Sequence, residues 1–259
     1  MIRGLYASGW SMIANNRKMD VIANNLANVN TTGYKKDSVI FESFPDLLAQ
    51  RVNDYRSASN PSGRIGTMQL SSDVGEIFTY YQQGQLISTD NILDFAINDE
   101  GNSFFTVIET APDGTVVREL YTRDGSFAIN SQGILVTKEG YPVMGENGLI
   151  ILQDRDFTVE RDGTVIQDGT VIGRLLIRSF ANTETLRKVG SNMVERTDET
   201  QEQAFNGEVL QGYLEQSNVN IIKEMVDMIT VLRAYEANQK ILQTHDDTLS
   251  RAVNDVGKV

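Results

Sequence analysis

The chain has 259 residues, 40% of them hydrophobic, which is enough to bury a core in one large domain or two smaller ones. Its formal net charge of −12 argues against nucleic-acid binding by phosphate neutralisation, and an acidic surface also disfavours anionic membranes. The sequence contains no cysteine, which excludes disulfides, thiolate metal sites and cysteine nucleophiles. No run of about 18 apolar residues occurs, so we expect no transmembrane helix.

Residues 1 to about 29 predict an amphipathic helix, because a seam of mostly apolar or small residues recurs at alternating spacings of four and three. The seam consists of Leu5, Gly9, Met12, Asn16, Met19, Ala23 and Leu26. The helix is also rich in Asn, whose amide competes for backbone hydrogen bonds, so it should depend on a partner face. We expect Asn24, Asn25 and Asn28 to pack closely and to bond neighbouring backbone. Gly33 should end the helix in a left-handed conformation.

Residues 34–75 are predicted to be a linker or extended segment. A short apolar piece at 39–48 precedes a turn-rich loop at 57–63, where Ser, Asn, Pro and Gly are concentrated. The low apolar content of this zone predicts little independent structure.

Residues 76–205 are predicted to form an antiparallel β domain. Short β-type runs alternate with Asx-Gly steps such as Asp113-Gly114 and Asp168-Gly169, and these dipeptides favour hairpin turns because such turns need positive φ. The candidate strands are 93–98, 103–109, 116–122, 127–130, 134–138, 149–152, 158–160 and 174–180.

Residues 206–212 are predicted to be a return linker, followed by a second long helix that begins near Asn220. This helix repeats the alternation of four and three, with Gln239 and Asp246 in two polar positions of the seam. The apolar seam positions are Ile221, Met225, Met228, Leu232, Tyr235, Leu242, Leu249 and Val253.

The predicted fold class is α+β. The terminal segments 1–33 and 213–259 should pair as one coiled-coil module, and the hairpin-rich antiparallel β domain should be inserted between them. A single helix cannot bury such a seam alone, and the other end of the chain is the obvious partner.

No catalytic constellation is apparent, so we expect neither enzymatic activity nor a cofactor or metal. The single histidine, His245, lies in the second helix beside two Asp residues, and a solvated helix position is the expected environment for it. Without cysteine and with one histidine, the usual zinc and haem ligand sets are unavailable.

Both terminal helices contain more apolar surface than an intramolecular pair would cover. Ile2, Tyr6, Trp10 and Ile13 flank the first seam, and Ile222, Val226 and Ile229 flank the second. Such surface is either an aggregation liability or a binding site, and we expect it to bind copies of the same chain. The predicted self-assembly interface comprises Leu5, Met12, Met19, Asn24, Asn25, Leu26, Asn28, Ile221, Met225, Met228, Leu232, Tyr235, Leu242 and Leu249.

Several motifs resemble the bacterial flagellar rod and hook proteins. The N-terminal signature is the run Ala23 to Lys35, and the C-terminal signature comprises 212–220, 224–226 and 233–238. Between them, 91–97 and 121–127 resemble β-domain segments of rod members. The resemblance covers nearly the whole chain. The chain is shorter than typical hook proteins, which favours a rod subunit. Tyr34 stands where Phe is commoner in this family.

The resemblance implies a structural subunit of the flagellar basal-body rod, which polymerises into a helical axial tube and transmits torque from motor to hook. It implies location outside the cytoplasm and export by the flagellar type III apparatus without a cleaved signal peptide. The implied partners are copies of itself, neighbouring rod and hook subunits, the export apparatus and rings around the rod. Distal and proximal rod positions both stay open, with the distal one favoured.

Three other interpretations stay open at this stage. The chain could be a hook-related axial protein, or a secreted enzyme or adhesin-like β protein with trimeric coiled-coil ends. It could also be a non-flagellar cytosolic scaffold.

Overall fold

A computed structural model of the chain describes residues 2–44, 47–50, 64–68, 71–110, 116–154 and 156–256. The predicted loop at 57–63 and the predicted Asp113-Gly114 turn lie outside these described residues. The chain divides into two compact units. Unit 1 comprises Met1–Asn24, Asp37–Phe78 and Ile222–Val259, and unit 2 comprises Asn25–Lys36 and Thr79–Ile221.

Each end of the chain contains one long helix, which agrees with the α+β class at this level. Helix α1 spans Ile2–Ala27, and helix α2 spans Ile221–Arg251 and continues as a π-helical turn over Ala252–Val256. In α2 the acidic Glu224 lies in the first turn and the basic Arg251 in the last turn. Both charges interact favourably with the helix dipole. Among the described residues, no helix combines the length and apolarity that a membrane crossing requires.

Unit 1 also contains paired strands within the zone predicted as a linker. Strand β1 (Asp37–Ser43) pairs with β4 (Ser72–Thr79), and β2 (Leu47–Gln50) pairs antiparallel with β3 (Arg64–Met68). This segment has little apolar content of its own, and α1 supplies contacts that the linker prediction did not include.

Three side-chain contacts within unit 1 join α1 to the β1–β4 ribbon and to Phe44, which directly follows β1. Trp10 packs edge-on against Phe44 with ring centroids 5.3 Å apart. The Lys18 ammonium lies 5.5 Å from the centroid of the Phe41 ring, and Arg17 forms an exposed ion pair with Asp73 at 3.4 Å. The ribbon therefore packs along one side of the helix.

Unit 2 is rich in strands, and every strand pairing whose register is described is antiparallel. Its strands are β5 (Leu86–Ser88), β6 (Phe95–Asn98), β7 (Ser103–Thr110), β8 (Val116–Thr122), β9 (Phe127–Ile129), β10 (Leu135–Thr137), β11 (Met144–Gly145), β12 (Gly148–Leu149), β13 (Thr158–Val159), β14 (Thr164–Gln167), β15 (Thr170–Arg174), β16 (Ile177–Phe180), β17 (Arg187–Val189), β18 (Met193–Glu195), β19 (Glu202–Gln203), β20 (Glu208–Gln211) and β21 (Tyr213–Glu215). The largest sheet has the order β17-β18-β8-β7-β16-β19.

The turn between β14 and β15 shows why an Asx-Gly step is informative. Asp168 and Gly169 have φ angles of 51° and 75°, and the flanking strands pair from Gln167↔Thr170 outward. Positive φ at both central residues matches the twist of the strands, and Asp and Gly tolerate it better than other residues. A short helical turn over Thr183–Thr185 also lies in unit 2.

The core of unit 2 is apolar and draws on strands from the whole β region. Its largest buried cluster comprises Phe95, Ile97, Phe105, Val107, Leu120, Phe127, Leu135, Val143, Ile150, Leu152, Phe157, Val159, Val165, Leu175 and Val209. Val209 lies in the stretch 206–212, which the sequence predicts as a return linker. In the structure this stretch contains β20, which pairs with β6, because Val209 packs into the core.

Candidate functional site

The face of α2 that the fold covers differs from the predicted seam in one of its two rows. Met228, Tyr235, Leu242 and Leu249 are half-buried, as a seam position would be. The other covered row is Glu224, Val231, Asn238 and His245, each one residue before the predicted position. Met225 and Leu232, which were predicted in the seam, are exposed.

Five of the apolar residues that the fold leaves open in the first part of α2 form one continuous face. We call Ile222, Met225, Val226, Ile229 and Leu232 the α2 stripe, and each of these side chains is 40–76% exposed. Their spacing of three and four residues places them on one side of the helix. Ile221, also predicted in the interface, is 45% exposed. Apolar surface this concentrated is characteristic of a binding site.

Helix α1 shows the same displacement of its covered face. Ser8, Ala14 and Ile22 are buried, whereas Asn16 and Ala23 of the predicted seam are exposed. Leu5, Met12, Met19 and Leu26 from the predicted interface are half-buried. Tyr6, Trp10 and Ile13 are exposed, although Trp10 also contacts Phe44.

Gly4 of α1 lies against His245 of α2, within unit 1. A Cβ atom added at Gly4 would lie 2.8 Å from His245 Nε2. Only glycine therefore allows the imidazole to approach this closely. His245 is half-buried here, whereas the sequence predicts a solvated position for it.

The three asparagines predicted to pack closely have different environments. Asn25 is buried, and its Oδ1 accepts a hydrogen bond from the Tyr34 hydroxyl at 3.1 Å. Asn28 is half-buried, and its Oδ1 accepts from Thr31 Oγ1 at 3.2 Å. Asn24 is exposed. Both of these bonds join one side chain to another.

Unit 2 contains a buried ionic group that the sequence did not reveal. We call Lys35, Asp99, Arg123 and Glu215 the Glu215 cluster. One Glu215 oxygen lies 2.6 Å from Lys35 Nζ, and the other lies 2.5 Å from Arg123 Nε. Arg123 Nη2 bonds Asp99 Oδ1 at 2.5 Å. The side chains of Arg123 and Glu215 are each 1% exposed, so the interior contains two cations matched by two anions.

Backbone groups satisfy the remaining bonding capacity of this cluster. Arg123 also donates to the carbonyl oxygens of Ser103 and Ile97, and Lys35 Nζ donates to the Gln82 carbonyl at 2.8 Å. The Gly84 amide donates to Glu215 Oε1 at 2.8 Å. Buried ion pairs are tolerated only when their residual donors and acceptors are bonded in this way.

The same region brings the two terminal signatures together. The Gly33 amide donates to the Glu215 carbonyl at 2.9 Å, and the Lys36 amide donates to Asn218 Oδ1 at 2.8 Å. Asn218 Nδ2 in turn donates to the carbonyls of Tyr80 and Gln82. The segment that follows α1 and the segment that precedes α2 are therefore directly hydrogen-bonded to each other.

Gly33 itself packs against the segment that contains Arg123. It has φ of 68°, and an added Cβ atom would lie 2.4 Å from the Asp124 amide nitrogen. The neighbouring Thr32 hydroxyl donates to Asp124 Oδ1 at 2.6 Å, and Lys188 Nζ lies 4.3 Å from the centroid of the buried Tyr34 ring. The left-handed glycine predicted at this position is confirmed.

Burial and ion pairing act in opposite directions on the pKa values of this cluster. Burial lowers the pKa of Lys35 below its ordinary value, and the negative charge of Glu215 offsets only part of this. Burial alone would raise the pKa of Asp99, but the hydrogen bond and positive charge of Arg123 hold it below its ordinary value. Asp99 is therefore ionised at neutral pH and forms a charged pair with Arg123.

Sequence reasoning missed this cluster although Lys35, Arg123 and Glu215 all lie in motifs that it had singled out. A usable signal was present, because a charged residue within an otherwise apolar or turn-forming motif needs a partner if it is buried.

Among the described residues, no group of three or more His, Asp or Glu side chains is arranged to hold a metal ion.

Three family sequence profiles match successive segments of the chain. The profile of the flagella basal body rod protein matches residues 5–35, and that of the C-terminal region of flagellar basal body rod FlgEFG proteins matches 210–255. The profile of the flagellar hook protein FlgE/F/G D1 domain matches 96–167. Each profile includes at least one member of the Glu215 cluster.

Similar proteins align over almost the full length. The flagellar basal-body rod protein FlgG of Buchnera aphidicola subsp. Baizongia pistaciae is 38% identical, with 97% of this chain and 98% of the relative covered. The chain belongs to the family of flagellar basal-body rod proteins. FlgG of Borreliella burgdorferi is 36% identical, with 98% of both chains covered. The flagellar hook-basal body complex protein FlhO of Bacillus subtilis is 30% identical over the full length of both chains.

Members of this rod family are structural proteins. The Glu215 cluster and the open helix faces therefore belong to a chain whose family assembles into an axial structure. The cluster lies inside unit 2, and the apolar faces lie on the helices of unit 1.

Proposed function

We propose that this chain is a structural subunit of the flagellar basal-body rod and that it assembles through its terminal helices. The supporting observation is the α2 stripe, where five neighbouring apolar side chains are exposed on one helix face. The names of the similar proteins place those relatives in the flagellar basal body. Open apolar helix faces are what subunits of a polymer need before their neighbours cover them.

The energetic reason for assembly is the cost of leaving this face in water. Full burial of each aliphatic or Met side chain stabilises by about 1.5–3 kcal/mol relative to exposure. The five residues of the α2 stripe are already partly covered, so assembly gains a part of that sum for this helix alone. Ordering of side chains and loss of free rotation oppose this gain, and repeated contacts along a polymer offset the opposing terms.

We further propose that α1 and α2 pair as a coiled coil, with their covered rows facing each other. The approach of Gly4 to His245 supports one contact of this kind. The open rows, including Tyr6 on α1 and Ile229 on α2, would then contact other subunits. A head-to-tail contact whose rotation does not close generates a helical filament, which is the form expected of an axial tube that transmits torque.

In the division of labour that we propose, the terminal helices α1 and α2 are the parts that assemble, and strand-rich unit 2 is the part that folds by itself. The predicted module bounds of 1–33 and 213–259 are narrowed to these helices, because residues 25–36 and 213–221 belong to unit 2. The subunit works outside the cytoplasm after export by the flagellar export apparatus without a cleaved signal peptide. Its partners are copies of itself, adjacent rod and hook subunits and surrounding rings. It has no enzymatic activity and needs no cofactor.

A test of this function uses cells in which the chain is replaced by a labelled variant. We expect Ile229→Asp to prevent incorporation into purified basal bodies, because the charge cannot be buried between subunits. Gln239→Glu is the matched control, because it adds a negative charge at an exposed polar position of the same helix. Incorporation of the Ile229→Asp protein at the level of the control would contradict assembly through this face.

A hook-related axial protein is the second candidate, since the D1 profile that matches 96–167 is named after the hook protein FlgE together with FlgF and FlgG. Label on purified basal bodies distinguishes the two positions. We expect the label within the rod, at its distal part, and label confined to the hook would favour the alternative.

A further inference from the structure

The Glu215 cluster joins parts of the chain that are very far apart in sequence. Glu215 lies 180 residues from Lys35 and 92 residues from Arg123. Closing such long loops is entropically unfavourable, so these contacts form only when much of unit 2 has already collapsed. The cluster can therefore form only late in the folding of unit 2.

The strands next to Glu215 are also the last parts that unit 2 receives from the chain. Strand β20 pairs with β6 over four residues, and β21, which contains Glu215, pairs with β5 over three. Val209 of β20 is 1% exposed within the main core. Without residues 208–216, two strands and a core side chain are missing from the unit.

Glu215 also balances charge that the rest of the unit cannot balance. In its absence, Lys35 and Arg123 would share the single carboxylate of Asp99 inside the protein. Removing one member of a buried ion pair is strongly destabilising, because it leaves an uncompensated charge away from water. A unit 2 without the carboxylate should therefore open to hydrate its cations.

We propose that Glu215 is the closure residue of unit 2. The unit stays open until the segment with Glu215 has paired, and this pairing holds the end of α1 and the start of α2 in the same step. Both helix ends lie within the unit, since α1 ends at Ala27 and α2 begins at Ile221. The adjoining ends of the two assembly helices are thus held only in a completed unit 2.

This order of events has a consequence for export, which rests on the proposed function. A chain that leaves a narrow channel from either end cannot close unit 2 until residues 25–36 and 208–216 have both emerged. Closure by a late, charged contact delays completion of unit 2 until both segments have left the channel.

The test compares two Glu→Gln variants of the full-length chain at a concentration where it sediments as a monomer. Glu215→Gln removes the buried carboxylate, and Glu208→Gln removes an exposed one that is paired with Arg161 at 3.4 Å. Hydrogen exchange of the β5 and β6 amides measures opening of the unit. We expect Glu215→Gln to lower their protection by about 100-fold or more, and Glu208→Gln by less than about threefold.

A second variant separates charge balance from general damage. Lys35→Met in the Glu215→Gln background removes the surplus cation and leaves Arg123 paired with Asp99. We expect this double variant to recover at least about tenfold of the lost protection, or to restore folding if Glu215→Gln alone does not fold. Equal protection in the two Gln variants, or no recovery in the double variant, would overturn the proposal.

The outcome does not depend on whether the chain assembles into a rod. Exchange is measured on the monomer, so failure of the Glu215 comparison contradicts the closure role only. Failure of incorporation into basal bodies would instead contradict the proposed function and leave the exchange result standing.

Discussion

The interior of unit 2 and the surface of α2 reverse the usual placement of side chains. Unit 2 buries Lys35, Arg123 and Glu215, while α2 exposes Ile222 and Ile229 to solvent. Each reversal costs free energy in an isolated molecule unless a partner compensates. Inside unit 2 the compensating partners belong to the same chain, whereas on α2 they have to come from another molecule. Unit 2 therefore stabilises its buried charges without a partner molecule, whereas the exposed apolar face of α2 needs one.

Among the changes considered, Arg123→Met should lower the stability of unit 2 most. This change leaves the carboxylates of Glu215 and Asp99 without the cation that lies between them, and it should cost about 3–5 kcal/mol of stability. Denaturant unfolding followed by near-ultraviolet circular dichroism of tyrosine measures the loss. Trp10 is the single tryptophan and lies in unit 1, so its fluorescence serves as the internal control. A loss below about 1 kcal/mol, as for an exposed pair, would mean that the interior charges are not compensated as described.

Gly33→Ala should have the next largest effect. A left-handed conformation costs a non-glycine residue about 1–2 kcal/mol, and the overlap with the Asp124 backbone adds about 1–3 kcal/mol. Gly140→Ala is the matched control, because Gly140 has φ of 91° but no atom within 4 Å of an added Cβ. It should lose only the conformational part, and equal losses in thermal unfolding would show that the contact near Arg123 does not matter.

Acid should weaken unit 2 through Asp99, with a smaller effect. The pKa of Asp99 is lower in the folded chain than its ordinary value of 3.8, so its contribution to stability is present above that pH. The contribution is lost as pH falls through the folded pKa. We expect the stability difference between the natural chain and Asp99→Asn to shrink below about pH 4. A difference that stays constant from pH 6 to pH 2, each pH being about one unit or more from 3.8, would contradict the ion pair with Arg123.

The periodicity of the sequence predicted the helices but not which of their faces the fold covers. An apolar row marks a surface that avoids water, and it does not say whether the cover is part of the same chain. In α2 the fold covers the row with Glu224, Asn238 and His245 and leaves Met225 and Leu232 open. A prediction of the covered face from apolarity alone therefore chooses the exposed row of Met225 and Leu232. Such ambiguity is inherent to a chain whose surface has to be apolar for assembly.

The strands were easier to predict than the cluster. Asx-Gly steps act locally, so the hairpin at Asp168-Gly169 and the bounds of β8 at Val116–Thr122 could be predicted from a few neighbouring residues. The Glu215 cluster depends on partners up to 180 residues apart, and no local pattern states that such partners will meet. The sequence motifs contain Lys35, Arg123 and Glu215, but nothing in those motifs predicts that the three side chains meet in one site.

Sedimentation velocity of the purified full-length chain over a wide range of concentration tests the central claim most directly, with Ile229→Asp measured alongside. We expect the natural chain to grow without a fixed stoichiometry as concentration rises, whereas the variant stays monomeric with an unchanged denaturation midpoint. A natural chain that stays monodisperse at high concentration would contradict this claim, because the α2 stripe would then need no second copy.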